Sequence, residues 1–370
     1  MKKRILFRAD ANVQIGYGHF VRTLALADML KDDFECVFYT QEPTEYQKRA
    51  VGEVCDLVAL PSDETKFDVF LSCLSGNEIV FLDNYFFTSE YERQIKRKGC
   101  KLVCLAPYNI HHYSDVLINY VEEDFSKYSV EPYTKILCGF EWVILRAPFR
   151  KYKSEKKISS NIITICFGGT DQYLLTEKTF RYLKNCKLQY EIHLIASSVI
   201  GTERIREFLS EGLAVHIDAS AQEIANLFDV SKFAILSSSM ICYEALSRGT
   251  KVLSGYYVDN QLGVYNALLK TNSIIPLGNL LDENYLNSLA EALTCDNLNV
   301  ASFIDYSKHN PIRGETNGSI NQRVIGQCPL SSNHNGRRWY DHLLSTSSVF
   351  RWSIRETAFM FEQINIYSDS

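Results

Sequence analysis

Short apolar runs alternate with amphipathic stretches along most of the chain. "RILFRA" near the start reads as a buried strand, and "HFVRTLALADMLKD" behind it reads as a helix with Phe20, Leu24, Ala27 and Leu30 on one stripe. "ECVFYT", "FDVFLSC", "EIVFLDNY", "CKLVCLAP" and "DVLINY" continue as strand candidates. Runs that are apolar at successive positions predict strands covered on both faces, and therefore parallel sheet with helical crossovers. The lysine-rich "PFRKYKSEKKISSN" interrupts this rhythm, after which it restarts. "IITICFGGTD" is a strand entering a Gly-Gly turn, "YLLTEKTFRYLKN" a helix, and "YEIHLIA", "LAVHID", "FAILSSS" and "TKVLSGY" are further strands. The expectation is an α/β chain of two Rossmann-like domains facing a cleft, residues 1–147 and 161–294, joined by a linker over 148–160. Residues 295–370 form an atypical polar tail, rich in Asn, Ser and Gly and without sustained periodicity, expected to be loosely ordered or a small appendage.

Composition narrows the function. A chain of 370 residues that is 46% hydrophobic can bury the cores of two domains. A net charge of -5 with interspersed signs offers no broad basic field, which argues against nucleic acid as a partner. The start carries no long apolar segment and no run of about eighteen apolar residues occurs, so a cytoplasmic protein without a membrane span is expected. The eleven cysteines are scattered, with no Cys-x-x-Cys pair, and read as reduced buried thiols. His111 and His112 are adjacent, so on a strand they point opposite ways, and no third ligand is evident; no metal is expected. His193 and His216 fall inside strand runs and read as structural.

Three constellations can carry chemistry. In "RADANVQIGYGHFVR" a strand enters a glycine turn at Gly16 and Gly18 that opens a helix with His19 at its start. Such a junction brings backbone N–H groups and the positive helix end to anionic groups. The Gly-x-Gly lacks the third glycine of a dinucleotide fingerprint, and the bare pattern fits a tight turn with a locally packed histidine equally well. Arg22, one helical turn on, binds a diphosphate or lies solvated; Asp10 and Asp83, at strand ends, face the cleft or cap. In "CFGGTD", Gly168 and Gly169 cradle a ligand or merely shape a turn that Asp171 caps. In "AILSSSMICYEALSRGTKVLSGYYVDNQ", Ser237, Ser238 and Ser239 precede a helix carrying Glu244, and Asn260 and Gln261 follow the next strand. Hydroxyls and N–H groups at a helix start suit pyrophosphate, and a carboxylate inside the helix can accept both hydroxyls of a ribose.

The motifs "FRADANVQIGYGHFVR", "LDNY", "HHYSDVLIN", "GFEWVILRAPF", "CFGGTD", "SSSMICYEAL" and "YVDNQ", in this order over roughly residues 1 to 292, resemble a known family. It is the nucleotide-sugar hydrolases of pseudaminic acid biosynthesis, which act on UDP-2,4-diacetamido-2,4,6-trideoxy-β-L-altropyranose. The Ser-rich turn, Glu244 and the Asn-Gln pair also look like the donor half of MurG-type glycosyltransferases, whose GT-B architecture that family shares. The resemblance implies a cofactor-free, metal-independent bacterial enzyme of surface-glycan synthesis. It would take a UDP-amino-sugar and release UDP by C1–O cleavage with inversion; a monomer is expected.

The family's catalytic histidine falls on His19, and its tyrosine and asparagine near the attacking water fall on Tyr85 and Asn260. Arg146 and Glu244 match substrate-binding positions. Asp10, Gly16, Gly18, Arg22, Asp83, Gly168, Gly169, Ser237, Ser238, Ser239 and Gln261 complete the expected binding set. UDP is a good leaving group, so the chemistry needs a positioned base for water more than a strong acid. Two departures stand out: Ala106-Pro107 where relatives carry paired acidic residues, and Tyr243 where a small or amide residue is expected. A GT-B glycosyltransferase using the same pocket and a non-catalytic nucleotide-sugar binding protein are the alternatives.

Overall fold

The computed structural model describes residues 2–12, 14–105, 109–121, 124–150, 161–169, 171, 173–186 and 189–294. The polar tail, Ala106-Pro107 and residues 151–160 lie outside the described residues. The first half holds strands β1 (Arg4–Arg8), β2 (Glu35–Gln41), β3 (Asp56–Leu60), β4 (Ile79–Leu82), β5 (Lys101–Leu105), β6 (His111–His112), β7 (Val116–Asn119), β8 (Ser129–Val130) and β9 (Lys135–Cys138). Between them lie helices α1 (Gly18–Leu30), α2 (Glu45–Gly52), α3 (Thr65–Ser72) and α4 (Ser89–Arg97). Seven strands form one sheet in the order β3-β2-β1-β4-β5-β7-β9, every pair parallel, with β6 and β8 paired separately.

The second half repeats the plan with β10 (Ile162–Cys166), β11 (Glu191–Ala196), β12 (Ala214–Ile217), β13 (Phe233–Ser237), β14 (Lys251–Tyr256) and β15 (Ile275–Asn279). These form a parallel sheet in the order β12-β11-β10-β13-β14-β15. A one-turn helix α5 (Ala147–Arg150) precedes it, and α6 (Leu175–Asn185), α7 (Thr202–Ser210), α8 (Ala221–Val230), α9 (Met240–Ser247), α10 (Asp259–Lys270) and α11 (Asn284–Thr294) cover it. The expected doubly wound α/β architecture is present in both halves. No described helix is long and apolar enough to cross a membrane.

Central strands such as β4, β5 and β13 are almost continuously apolar and buried because both sheet faces are covered there. Ile5 and Phe7 enter the core on the α1 side, and Leu6 enters the core on the α3/α4 side. "FDVFLSC", expected as a strand, is α3. Phe67, Phe70, Leu71 and Leu74 recur at helical spacing, and Phe70 is wholly buried against Tyr39. A short apolar run reads alike for strand and buried helix; here the 3.6-residue period decided. The core on the α1 side continues across the halves: Phe149 of α5 packs on Phe228 of α8, and Arg150 pairs with Asp28 of α1 at 2.7 Å.

In each sheet the strand order reverses next to the first strand, between β1 and β4 and between β10 and β13. The carboxyl ends of such strands leave a crevice, because successive crossover helices leave in opposite directions there. Asp10 follows β1 and Asp83 follows β4. Gly168 follows β10 and the serines end β13. Most of the residues singled out in sequence therefore lie at the two switch points.

Candidate active site

The first switch point is built around Asp83. Its carboxylate is wholly buried and accepts four hydrogen bonds. Oδ1 faces His19 Nδ1 at 2.7 Å and Arg22 Nη2 at 2.5 Å, while Oδ2 takes Arg22 Nε at 2.6 Å and Thr23 Oγ1 at 3.0 Å. Burial alone would raise the Asp83 carboxyl, but the Arg22 guanidinium and the His19 imidazole outweigh it and hold the group down at about 2. Arg22 is correspondingly raised: desolvation opposes its charge, and Asp83 more than compensates. Its Nη1 donates to the Tyr120 hydroxyl at 2.6 Å, and burial pushes that phenol up to about 12.

His19 stands in the first turn of α1, whose amino end follows the glycine turn. Gly16 adopts φ +81°, the left-handed region that suits glycine, and Asn12 closes the loop by accepting from the Gln14 and Ile15 N–H groups. His19 Nδ1 lies near both the Asp83 oxygen and, at 2.9 Å, Arg22 Nη2. A guanidinium only donates and a carboxylate only accepts, so one ring nitrogen cannot serve both. The shorter, charge-assisted contact to Asp83 decides for a proton on Nδ1. That leaves the lone pair on Nε2, which makes no hydrogen bond among the described residues and is not sealed from solvent. The exposed Tyr85 ring stands edge-on to the imidazole, centroids 4.6 Å apart.

Asp10 forms a second buried knot beside the first. It pairs in two contacts with the wholly buried Arg8 and accepts from the Gln41 N–H at 2.8 Å; Lys66 Nζ lies 3.5 Å away. Its own N–H donates to Asn84 Oδ1 at 2.7 Å, tying the β1 and β4 loops together. The acidic residues are thus neither solvent-facing nor helix caps. Of the two readings for Arg22, the solvated one is corrected: the side chain is buried and held by Asp83 and Tyr120. Thr23, Tyr120, Asn84 and Lys66 were not singled out in sequence; only "LDNY" carried a local signal, for Asn84.

At the second switch point Gly168 has φ +95°, and a Cβ there would meet the Tyr257 hydroxyl at 3.3 Å. That hydroxyl donates to the Phe167 carbonyl at 2.9 Å, joining the β10 and β14 loops. Ser237 and Ser238 are buried; Ser238 Oγ bonds Ser254 Oγ at 2.8 Å and turns inward, whereas the half-buried Ser239 begins α9. The expectation of three hydroxyls facing a ligand is therefore not met by Ser238. Asp171 caps α6 through the Leu175 N–H and pairs with Arg204. Asn260 is exposed in the first turn of α10, and Gln261 Oε1 accepts from the Tyr257 N–H at 3.0 Å.

Glu244 does not stand free. Both its oxygens are taken by Arg146, Nε to Oε1 and Nη2 to Oε2, each at 2.7 Å. Desolvation works against the Arg146 charge, but Glu244 overcomes it and raises the group. This fork-to-fork pair links the two halves. Close by, the Tyr120 ring meets the buried Tyr243 of α9 edge-on, centroids 5.8 Å apart. Tyr243 is therefore a large interdomain plug where a small residue was expected. Contacts run from His19 through Asp83, Arg22 and Tyr120 to the helix that carries Glu244.

No protein-family model matches the chain. The chain is 25% identical over 277 residues to the UDP-2,4-diacetamido-2,4,6-trideoxy-beta-L-altropyranose hydrolase of Campylobacter jejuni, covering 70% of this chain and 93% of that protein. It is 23% identical over 281 residues to the spore coat polysaccharide biosynthesis protein SpsG of Bacillus subtilis, covering 73% and 82%. Among solved structures, MurG of Acinetobacter baumannii superposes with a TM-score of 0.51 at 11% identity, covering 79% of this chain and 90% of that one. Two parallel doubly wound sheets, each with its switch point carrying polar loops, make this chain a GT-B fold.

Proposed function

We propose that the chain hydrolyses a UDP-linked amino sugar, with His19 as the general base that activates water and with inversion at the anomeric carbon. The observation that carries this reading is the His19–Asp83 contact with Nε2 left as the acceptor. Asp83 fixes the tautomer and stabilises the imidazolium that forms, as an orienting carboxylate does in other histidine-based sites. Arg22 and Thr23 hold Asp83, and are positioning residues. Tyr85 and Asn260 border the water, and the α9 amino end with Ser239 and the Gly168-Gly169 turn receive the diphosphate. Glu244 takes the ribose hydroxyls, for which Arg146 must first give way. The similarity to the Campylobacter hydrolase supports the substrate class, as does the polysaccharide role in the name of the Bacillus relative.

A second reading, a UDP-sugar transferase, is favoured by the fold shared with MurG. Incubation with a panel of UDP-amino sugars without added metal, followed by phosphorus and proton NMR, tests the two. UDP release from a diacetamido-trideoxy sugar in wild type, lost in His19→Ala, is the expected result. Tight UDP binding without release would move the assignment to the transferase.

A further inference from the structure

We propose a structural site for a zinc-class divalent cation formed by Glu92, Cys104 and His112, independent of the hydrolase reading. Sequence gives no reason to expect it: two adjacent histidines lacked a third ligand. The fold supplies two. Glu92 comes from the first turn of α4, Cys104 from β5 and His112 from β6. All three are buried to 1% exposure or less, and their donor atoms lie within 4.8 Å of one another. Glu92 Oε1 is 2.7 Å from His112 Nδ1 and 3.4 Å from Cys104 Sγ, while Oε2 accepts the Tyr113 N–H at 2.7 Å.

Three arguments favour an ion over a simple hydrogen-bonded trio. The donor set is sulfur, imidazole nitrogen and carboxylate oxygen, the set that zinc accepts at bond lengths of about 2.0–2.3 Å. Donors around such a tetrahedral ion stand roughly 3.3–3.8 Å apart, so closing on the ion needs shifts of about an ångström. Charge is the second argument. A dication with one thiolate and one carboxylate is neutral overall, which suits an interior lined by Leu82, Leu102 and Leu117. Third, Ser114 is wholly buried beside the Cys104 thiol, and its hydroxyl reaches that sulfur. It stands ready as a fourth donor, or as the partner of a bound water. Binding releases the thiol proton to solvent, while the imidazole stays neutral with its proton on Nε2, which leaves Sγ, Nδ1 and Oε1 as ligands.

The site would fasten α4, β5 and β6 together on the sheet face away from α1, so its role is structural. The Tyr113 bond to Oε2 orients the carboxylate from outside, as metal sites require. The test uses the full chain. Elemental analysis of the purified protein is followed by chelator dialysis and titration with Co(II) and then Zn(II). One equivalent of Co(II) should give a thiolate-to-cobalt band in the near ultraviolet and tetrahedral visible bands, which Zn(II) abolishes. Zn(II) should also raise the thermal midpoint of the chelated protein. Cys104→Ser and the milder His112→Gln should each lose the bands, and Cys73→Ser, an exposed thiol, should keep them. No band and no zinc-dependent midpoint shift in wild type would overturn the site, whatever the variants do. A band that survives Cys104→Ser would overturn it too.

Discussion

Asp83→Asn separates the orienting role of this carboxylate from mere bulk. The substitution keeps the shape but replaces one acceptor oxygen by an amide that only donates. Asp83 accepts from His19 Nδ1 and Arg22 Nη2 on one oxygen and from Arg22 Nε and Thr23 Oγ1 on the other. If the amide oxygen faces His19, the NH2 confronts Arg22 Nε. If the group flips, the NH2 faces His19 Nδ1, and the imidazole must carry its proton on Nε2, the nitrogen needed as base. Either way a buried guanidinium loses its counter-charge, which costs on the order of 3–5 kcal/mol. That is a large part of the stability of a typical domain, about 5–15 kcal/mol. Turnover should fall by roughly 10⁴-fold, as when an orienting carboxylate is lost from a histidine-based site. Urea unfolding and UDP release measured on the same preparation give both numbers. Turnover within about tenfold of wild type would refute the orienting role; lost turnover with an unchanged urea midpoint would refute the energetic one.

The same carboxylate makes stability pH-dependent. Its folded value of about 2 lies below the ordinary 3.8, so its contribution, about 2 kcal/mol, is complete above pH 3.8 and is lost as pH falls towards 2; acid unfolding followed by circular dichroism should lose that contribution over this window in wild type and not in Asp83→Asn. Arg146→Ala leaves the buried Glu244 without its guanidinium and should lower stability by about 3 kcal/mol in urea; an unshifted midpoint would mean that Glu244 finds water instead. Tyr120→Phe removes the acceptor of Arg22 Nη1 and should cost about 1–3 kcal/mol in the same assay. Gly255→Ala would put a Cβ 2.5 Å from the Gly278 carbonyl and 2.7 Å from Leu280, forcing β14 from β15; thermal unfolding should fall by at least the 1–3 kcal/mol typical of overpacking.

The sequence by itself determined the fold class and the places where chemistry can happen. Continuous apolar strands such as Ile79–Leu82 can only be covered on both faces, and glycine turns and serines at strand ends are local signals that need no partner. It also placed His19 at a helix start, because the Gly16 turn and the periodicity of α1 are both short-range. Where a run was ambiguous at short range, as at Phe67–Cys73, the wrong period was read. Tertiary structure alone decided what each polar side chain touches. Arg22 and Asp83 stand sixty-one positions apart and Arg146 and Glu244 ninety-eight, and nothing local says that they form buried pairs. The same holds for Glu92, Cys104 and His112, brought together because α4 packs against both β5 and β6. Backbone periodicity is written in neighbouring residues. Side-chain pairing depends on the strand order of the sheets, and strand order is a property of the whole chain.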